Sequence, residues 1–302
     1  MSRFNQIRNS VLGFVIGDAV GVPFEFTSRA DLLKEPATEM EGHGTHNQPI
    51  GTWSDDSSMM FILMEWLIGL KKAGKKFTDV TRRDYVNLKI EWFGFYEEGT
   101  WTPHDNCFDI GGQTRKALLE IDLWGDIALD PRGQGNGALM RILPFGFFRW
   151  SGEEFLYAVK TVMLKTCEIT HGNVISNYYC ERHMGHINHT LFGGLNCVDK
   201  EMKPPALDNG WVVTTYDTVK YAINNRISGP TNEVYKKCIL DAINLGEDTD
   251  TVAAITGGLL GASFDGKDDL PQDWLSKIVK LDQIEDLIVR FYETFKLEIE
   301  GE

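Results

Sequence analysis

Apolar side chains recur at three- and four-residue spacing through 4–19, 85–96, 114–121, 155–166, 233–245 and 284–295, the period of a helix with one buried face. The run 59–70 is apolar on every side, interrupted only by Glu65, and predicts a helix at the centre of the fold. A second unusual run, 252–262, carries Ala253, Ala254, Gly257, Gly258, Gly261 and Ala262; such small side chains let neighbours approach closely and predict another central helix. Strand-like alternation is scarce. Its best example, 211–215, has β-branched residues that open either a strand or a helix starting near Asp217. Glycine-rich turns fall at 42–51, 111–112, 133–137 and 193–194, and no Pro/Ser-rich linker, charge block or solenoid repeat divides the chain. The pattern predicts an all-α fold, with 1–302 forming one domain.

Composition narrows the function classes. The 302 residues hold 44 acidic and 30 basic side chains, a net charge of −14, which leaves no cationic surplus to neutralise nucleic acid or an anionic membrane. Cysteines 107, 167, 180, 197 and 238 are odd in number and widely spaced, with no C-x-x-C pair. They are expected to be reduced thiols in a cytoplasmic protein. Arg3 and Arg8 precede an apolar run as in a signal peptide, but Asp18 ends that run after seven residues. The 59–70 run is too short to span a bilayer, which takes about 20 apolar residues.

The candidate chemistry is carboxylate chemistry. Ser54-Asp55-Asp56-Ser57 directly precedes one central helix and Asp248-Thr249-Asp250-Thr251 the other. Such residues cap helices by accepting from free N–H groups. A cap needs only one side chain, however, and four carboxylates beside apolar helices call for neutralising cations. Hard ions such as Mg²⁺ or Mn²⁺ take carboxylate and hydroxyl oxygens, and facing helix starts could hold two of them roughly 3.5–4 Å apart. Glu25, alone among apolar neighbours, reads either as a surface loop residue or as a ligand or general base.

Gly133-Gln134-Gly135-Asn136-Gly137 offers backbone N–H groups to an anion as it leads into a helical segment with Met140 and Arg141. Asp109-Ile110-Gly111-Gly112 is a similar turn with an acid at its mouth. His171 either donates to a phosphate or belongs to a helix cap. His183, His186 and His189 are spaced by three, so the first and last lie about 240° apart on a helix and cannot share a ligand face; a solvated helix is expected there.

These elements in this order resemble the ADP-ribosylglycohydrolase family, which includes the enzyme that reactivates dinitrogenase reductase and the ADP-ribosylarginine and ADP-ribosylserine hydrolases. The similar stretches are GDAVGVPFEF at 17–26, GTWSDDSSM at 51–59, DIGGQTRKAL at 109–118, GNGALMRILPFG at 135–146, ITHGN at 169–173 and LGEDTDTVAAITGGLLGA at 245–262. The resemblance implies a compact orthogonal helical bundle with a binuclear metal cleft for ADP-ribose. It implies that two divalent cations, Mg²⁺ or Mn²⁺, are held by Ser54, Asp55, Asp56, Asp248, Asp250 and Thr251, with Asp250 bridging and Glu25 nearby. It places Gly133, Gly135, Asn136, Gly137 and His171 on the diphosphate and ribose, and Gly111 on the substrate side of the Asp109 turn. Asp109 matches an acid near the distal ribose in arginine-type members.

The expected activity is hydrolysis of the N-glycosidic bond of ADP-ribosyl-arginine on a modified protein, releasing ADP-ribose through an oxocarbenium-like transition state. Glu25 is the first choice of base and Asp109 the second. An O-linked substrate (serine, O-acetyl-ADP-ribose or poly(ADP-ribose)) is the alternative, and a non-catalytic structural relative a more distant one. Three departures bear on substrate preference: Glu247 stands where the family more usually has glycine, Ser57-Ser58 replaces a Thr-Gln pair, and Leu139 replaces a small residue. No nucleic-acid or membrane partner is expected, and the sequence leaves the oligomeric state open, a monomer being compatible with it.

Overall fold

A computed structural model describes residues 3–120, 133–195, 203–206 and 209–301. Twelve α-helices are found among them: α1 (Arg3–Gly21), the one-turn α2 (Arg29–Leu32), α3 (Asp55–Lys72), α4 (Arg82–Glu98), α5 (Gly112–Leu119), α6 (Glu153–Glu168), α7 (Val174–Gly193), α8 (Val212–Asn224), α9 (Thr231–Ile243), α10 (Thr249–Gly261), the one-turn α11 (Gln272–Leu275) and α12 (Leu281–Glu300). Ile121, the end of one expected helix, and Cys197 lie outside the described residues. No strand occurs among those described.

The pair at the centre is α1 and α10, antiparallel and in backbone contact. Gly13 faces the Gly257 carbonyl, Gly17 faces Ala253 and Gly21 faces Asp250, so a β-carbon at any of the three glycines would collide with the opposing main chain. This ladder explains the run of small residues at 252–262. It also sets function, because it brings the end of α1, and Glu25 just beyond it, against the start of α10. Thr249 locks that end by donating from Oγ1 to the Gly21 carbonyl at 2.8 Å. Helix α1 with the turn that follows, Arg3–Phe24, is long and apolar enough by composition to cross a membrane, but 89% of its most apolar window is buried inside the fold.

Helix α3 is buried without a break from Asp55 to Met64. Glu65, the one charge in its apolar run, is half-buried and makes a bidentate pair with Arg290 of α12 at 2.6 and 2.8 Å. The α3 N-terminus is clamped by a residue that sequence patterning treats only as the end of an apolar run. Asp18, fully buried on α1, accepts from the Ser54 N–H at 2.9 Å, the Ser57 N–H at 3.1 Å and Ser57 Oγ at 2.5 Å.

Two expectations are corrected. Segment 211–215 is helical, not extended: α8 starts at Val212, earlier than Asp217, and only an isolated bridge joins Trp211 to Gly135. The Val212 N–H donates to the Gln134 carbonyl and the Asn136 N–H to the Gly210 carbonyl, both at 3.0 Å, so the main chain at the start of the helix fastens the glycine loop. Helix α7 is not solvated around its histidines, since His183 is 1% exposed. His186 pairs with the Tyr216 hydroxyl and only His189 of the three is exposed. Cys107, Cys167, Cys180 and Cys238 are free thiols.

Candidate active site

The two carboxylate-bearing helix starts face one cleft of about 510 Å³, a volume typical of a small-molecule site. Its floor holds Asp55, Asp56, Asp248, Asp250 and Thr251, with Glu25 beside them. One ligand oxygen each from Glu25, Asp248 and Asp250 lies within 4.8 Å of the others, and Glu25, His46 and Asp109 form a second such group. Thr251 Oγ1 donates to Asp56 Oδ2 at 3.3 Å, joining α10 to α3.

Capping does not use up these side chains. Ser54 is the α3 cap, accepting at Oγ from the Asp56 N–H at 3.3 Å, and it lies behind the floor rather than on the cleft wall. Asp56 Oδ1 is buried and has no hydrogen-bond partner. Burial first, then the neighbouring carboxylates, pushes the acids of Asp55, Asp56 and Asp250 well above the usual range. Two like charges about 4 Å apart repel by about 4 kcal/mol at an effective dielectric near 20, more than a helix cap contributes. An orphaned buried oxygen within converging carboxylates and a hydroxyl is a donor set that fits hard divalent cations.

Glu25 is the most finely balanced of these acids. Burial raises its pKa to about 7 against the hydrogen bond from His46 Nε2, with Asp109 and Asp248 adding to the rise. His46 in turn is raised, chiefly by Glu25. It is the site residue that sequence reasoning missed. Nothing local marks it, because it reaches Glu25 only through the turn 44–46, which Thr45 ties to the Glu25 carbonyl at 2.6 Å. Asp109 stands on the same wall, its acid raised by burial, and the Gly111 backbone hydrogen-bonds Asp55.

A further stretch of the wall is uncharged. Gly135, Asn136 and Gly137 line it with His171, and Asn136 Nδ2 donates to Asp248 Oδ2 at 2.7 Å and to Thr215 Oγ1 at 3.0 Å. Gly137 must be glycine, as a β-carbon would sit 2.7 Å from His171 Cε1. His171 is buried and neutral, its pKa lowered to about 3 by burial and then Arg141, with Nδ1 paired to Thr170 Oγ1 at 2.7 Å. It caps nothing: Asn173 caps α7. The glycine loop leads into 3-10 turns at Leu139–Arg141 and Leu143–Phe147 rather than an α-helix, so no helix dipole supports it.

Arg141 holds this wall instead. Fully buried, it donates to the Gly137 carbonyl at 2.9 Å, Thr170 Oγ1 at 2.7 Å and the Thr166 carbonyl at 3.2 Å, and lies 4.1 Å from the centre of the Trp92 ring. Gly133 is not on the cleft wall, and Leu139 is buried in the core.

The mouth carries two backbone outliers. Phe26 (φ 61°) and Glu247 (φ 69°) are both left-handed, a conformation that costs a non-glycine residue about 1–2 kcal/mol. Each braces the other's segment: the Phe26 N–H donates to the Glu247 carbonyl at 2.7 Å and the Glu247 N–H to the Thr27 carbonyl at 2.8 Å. The molecule's larger hollow, about 830 Å³ between Phe77, Phe155 and Leu297, contains none of these carboxylates, and its Lys71 and Lys75 are already paired with Glu298 and Asp84.

Comparison with known proteins agrees with this architecture. The chain is 28% identical to the ADP-ribosylarginine hydrolase Tri1 of Pseudomonas putida, over 96% of this chain and 78% of that protein. It is 26% identical to the ADP-ribosyl-[dinitrogen reductase] glycohydrolase of Rhodospirillum rubrum, over 88% of each. A solved structure described as an ADP-ribosylglycohydrolase-related protein complex superposes with a TM-score of 0.74 at 23% identity, covering 97% of this chain and 98% of its own, which shows the fold. The family model described as ADP-ribosylglycohydrolase matches residues 1–199 and 190–300. Matched over nearly its whole length, the chain belongs to the ADP-ribosylglycohydrolase family and is a glycosidase-type hydrolase.

Proposed function

We propose that this protein is a metal-dependent hydrolase that removes ADP-ribose from arginine side chains of modified proteins. The observation that carries the reading is the convergence of Glu25, Asp248 and Asp250 with Asp55 and Asp56 on one floor, where no Lys or Arg among the described residues forms an ion pair with any of them. Similarity to relatives named for ADP-ribosylarginine and ADP-ribosyl-[dinitrogen reductase] supports the substrate.

Asp55, Asp56, Asp248, Asp250 and Thr251 are the groups that would hold two Mg²⁺ or Mn²⁺ ions, with Ser54 behind them as the cap of the helix that presents Asp55 and Asp56. Bound there, such ions supply charge neutralisation and a water of lowered pKa. The neutral wall of Gly135, Asn136, Gly137 and His171 suits a diphosphate: it carries no carboxylate of its own, and His171, with Nδ1 paired to Thr170, keeps Nε2 for the anion. Asn136 links that wall to Asp248, so binding of the diphosphate fixes the ribose relative to the floor. Glu25, with a pKa of about 7, takes a proton from an attacking water at neutral pH, and His46 holds its carboxylate in place. Asp109, across His46, is the second group able to hold a proton and can return one to the departing guanidine. The free thiols support a cytoplasmic site of action.

The test is release of free ADP-ribose from arginine-linked and serine-linked ADP-ribosyl peptides, with and without chelator. Chelator-sensitive release from the arginine substrate is expected. Faster turnover of the serine substrate would overturn the linkage, and release unaffected by chelator would overturn the metal role.

A further inference from the structure

We infer that Glu247 and Phe26 form a subsite for the guanidinium of the acceptor arginine, and so select the bond that is cut. The inference rests on the proposed hydrolase reading and assigns its specificity. The two ends of the cleft differ in chemistry. Next to Asp248 stand Asn136, which is bonded to it, the neighbouring glycines and a neutral imidazole, a stretch with no carboxylate of its own that suits the anionic diphosphate. On the other side the mouth is formed by an aromatic ring and an acid, which suit a planar cation.

Phe26 is 66% exposed although aromatic, and its ring lies 6.1 Å from that of His46, the partner of Glu25. The carboxylate of Glu247 lines the same mouth and carries no hydrogen bond or ion pair among the described residues. Neither side chain contributes to the core. Yet both residues occupy backbone positions where glycine would be easier, and their segments are bonded to each other. Strain held in place by reciprocal hydrogen bonds, with both side chains left free at a cleft mouth, points to a task in binding. A guanidinium bonded through one nitrogen keeps its other N–H edges for a carboxylate and its face for a ring.

The test compares Glu247→Gln, Glu247→Gly and Phe26→Leu on arginine-linked and serine-linked ADP-ribosyl peptides, with inhibition by free ADP-ribose as the binding control. Glu247→Gln should raise KM for the arginine substrate about tenfold. Phe26→Leu should raise it about threefold, and the loss in kcat/KM should lie in KM for both. The KM for any serine-linked turnover and the inhibition constant of ADP-ribose should stay within twofold. Glu247→Gly removes the acid while relieving the backbone, so it should show the same KM defect and melt no lower than the parent. Unchanged KM in Glu247→Gln and Phe26→Leu, or an equal shift in ADP-ribose inhibition, would overturn the subsite alone. A parent protein that spares the arginine substrate and cleaves the serine one would overturn the linkage reading as well.

Discussion

The two sides of the cleft bury charge in opposite ways. On the loop side, Arg141 is a fully buried cation whose terminal nitrogens bond three oxygens and Met59 Sδ and whose face lies against Trp92, with Nε alone left without a partner among the described residues, and burial lowers its pKa only to about 10. On the floor, the carboxylates of Glu25, Asp55, Asp56 and Asp250 crowd one another, and burial raises each of them. A charge whose partners are built in serves shape. Charges left without partners are poised for something that arrives from outside. The same fold thus shows a largely satisfied cation beside a group of unsatisfied acids.

If that contrast is right, mutations on the two sides should fail differently. The largest effect is expected at the floor: Asp55→Ala or Asp250→Ala should cut release of ADP-ribose by on the order of 10²–10³-fold, measured at saturating Mg²⁺ or Mn²⁺, because charge stabilisation at the reacting bond is lost. Each should leave the metal-free protein at least as stable as the parent, since a repelling charge is gone. A metal-free melting temperature that drops instead would show that the carboxylates are structural. Arg141→Met inverts this pattern. Losing a donor to Gly137, Thr166 and Thr170 should destabilise the protein by about 2–4 kcal/mol by denaturant titration, whether or not metal is present.

A third expectation concerns pH. Asp18 and Glu25 have folded pKa values of about 6 and about 7, above their unfolded values, so the folded state holds more protons than the unfolded one between those limits. The stability these two acids lend to the metal-free fold should therefore be full below about pH 4 and be lost as pH rises through 7. Because buried His171 and His183, both lowered to about 3, act in the opposite sense below pH 6.5, it is read as the difference between the parent and Glu25→Gln, which should shrink by on the order of 3 kcal/mol across that range. Added Mg²⁺ or Mn²⁺ should flatten the curve. A difference between the parent and Glu25→Gln that grows with pH in the absence of metal would contradict the crowded floor. The smallest effect is at His46. His46→Ala removes the hydrogen bond that holds the Glu25 pKa down, so the acid limb of the pH–rate profile should move upward by about one unit.

Much of this was legible before any coordinates. The helical period marked both central helices, and the paired carboxylates at their starts marked the floor, because an amphipathic stripe and a helix cap are written within a few residues of chain. Segment 211–215 was not legible, since β-branched residues suit either state until Gln134 and Gly210 show what they bond. Glu247 illustrates a middle case. Its departure from the family's usual glycine was visible, but only its φ of 69° explains why glycine fits there and why an acid at that position is notable.

The sequence by itself determined which segments are helical and which residues could carry carboxylate chemistry. Tertiary structure alone decided that Asp18 clamps α3, that His46 meets Glu25 and that Arg141 braces the glycine loop. These pairings join residues that are distant along the chain or lie in different turns, and no local period encodes them. The distance between Glu25 and Asp250 is likewise set elsewhere, by the close approach of Gly13, Gly17 and Gly21 to α10. Main-chain contact along that ladder leaves the two helices almost no freedom to slide, and so delivers the acids to one floor.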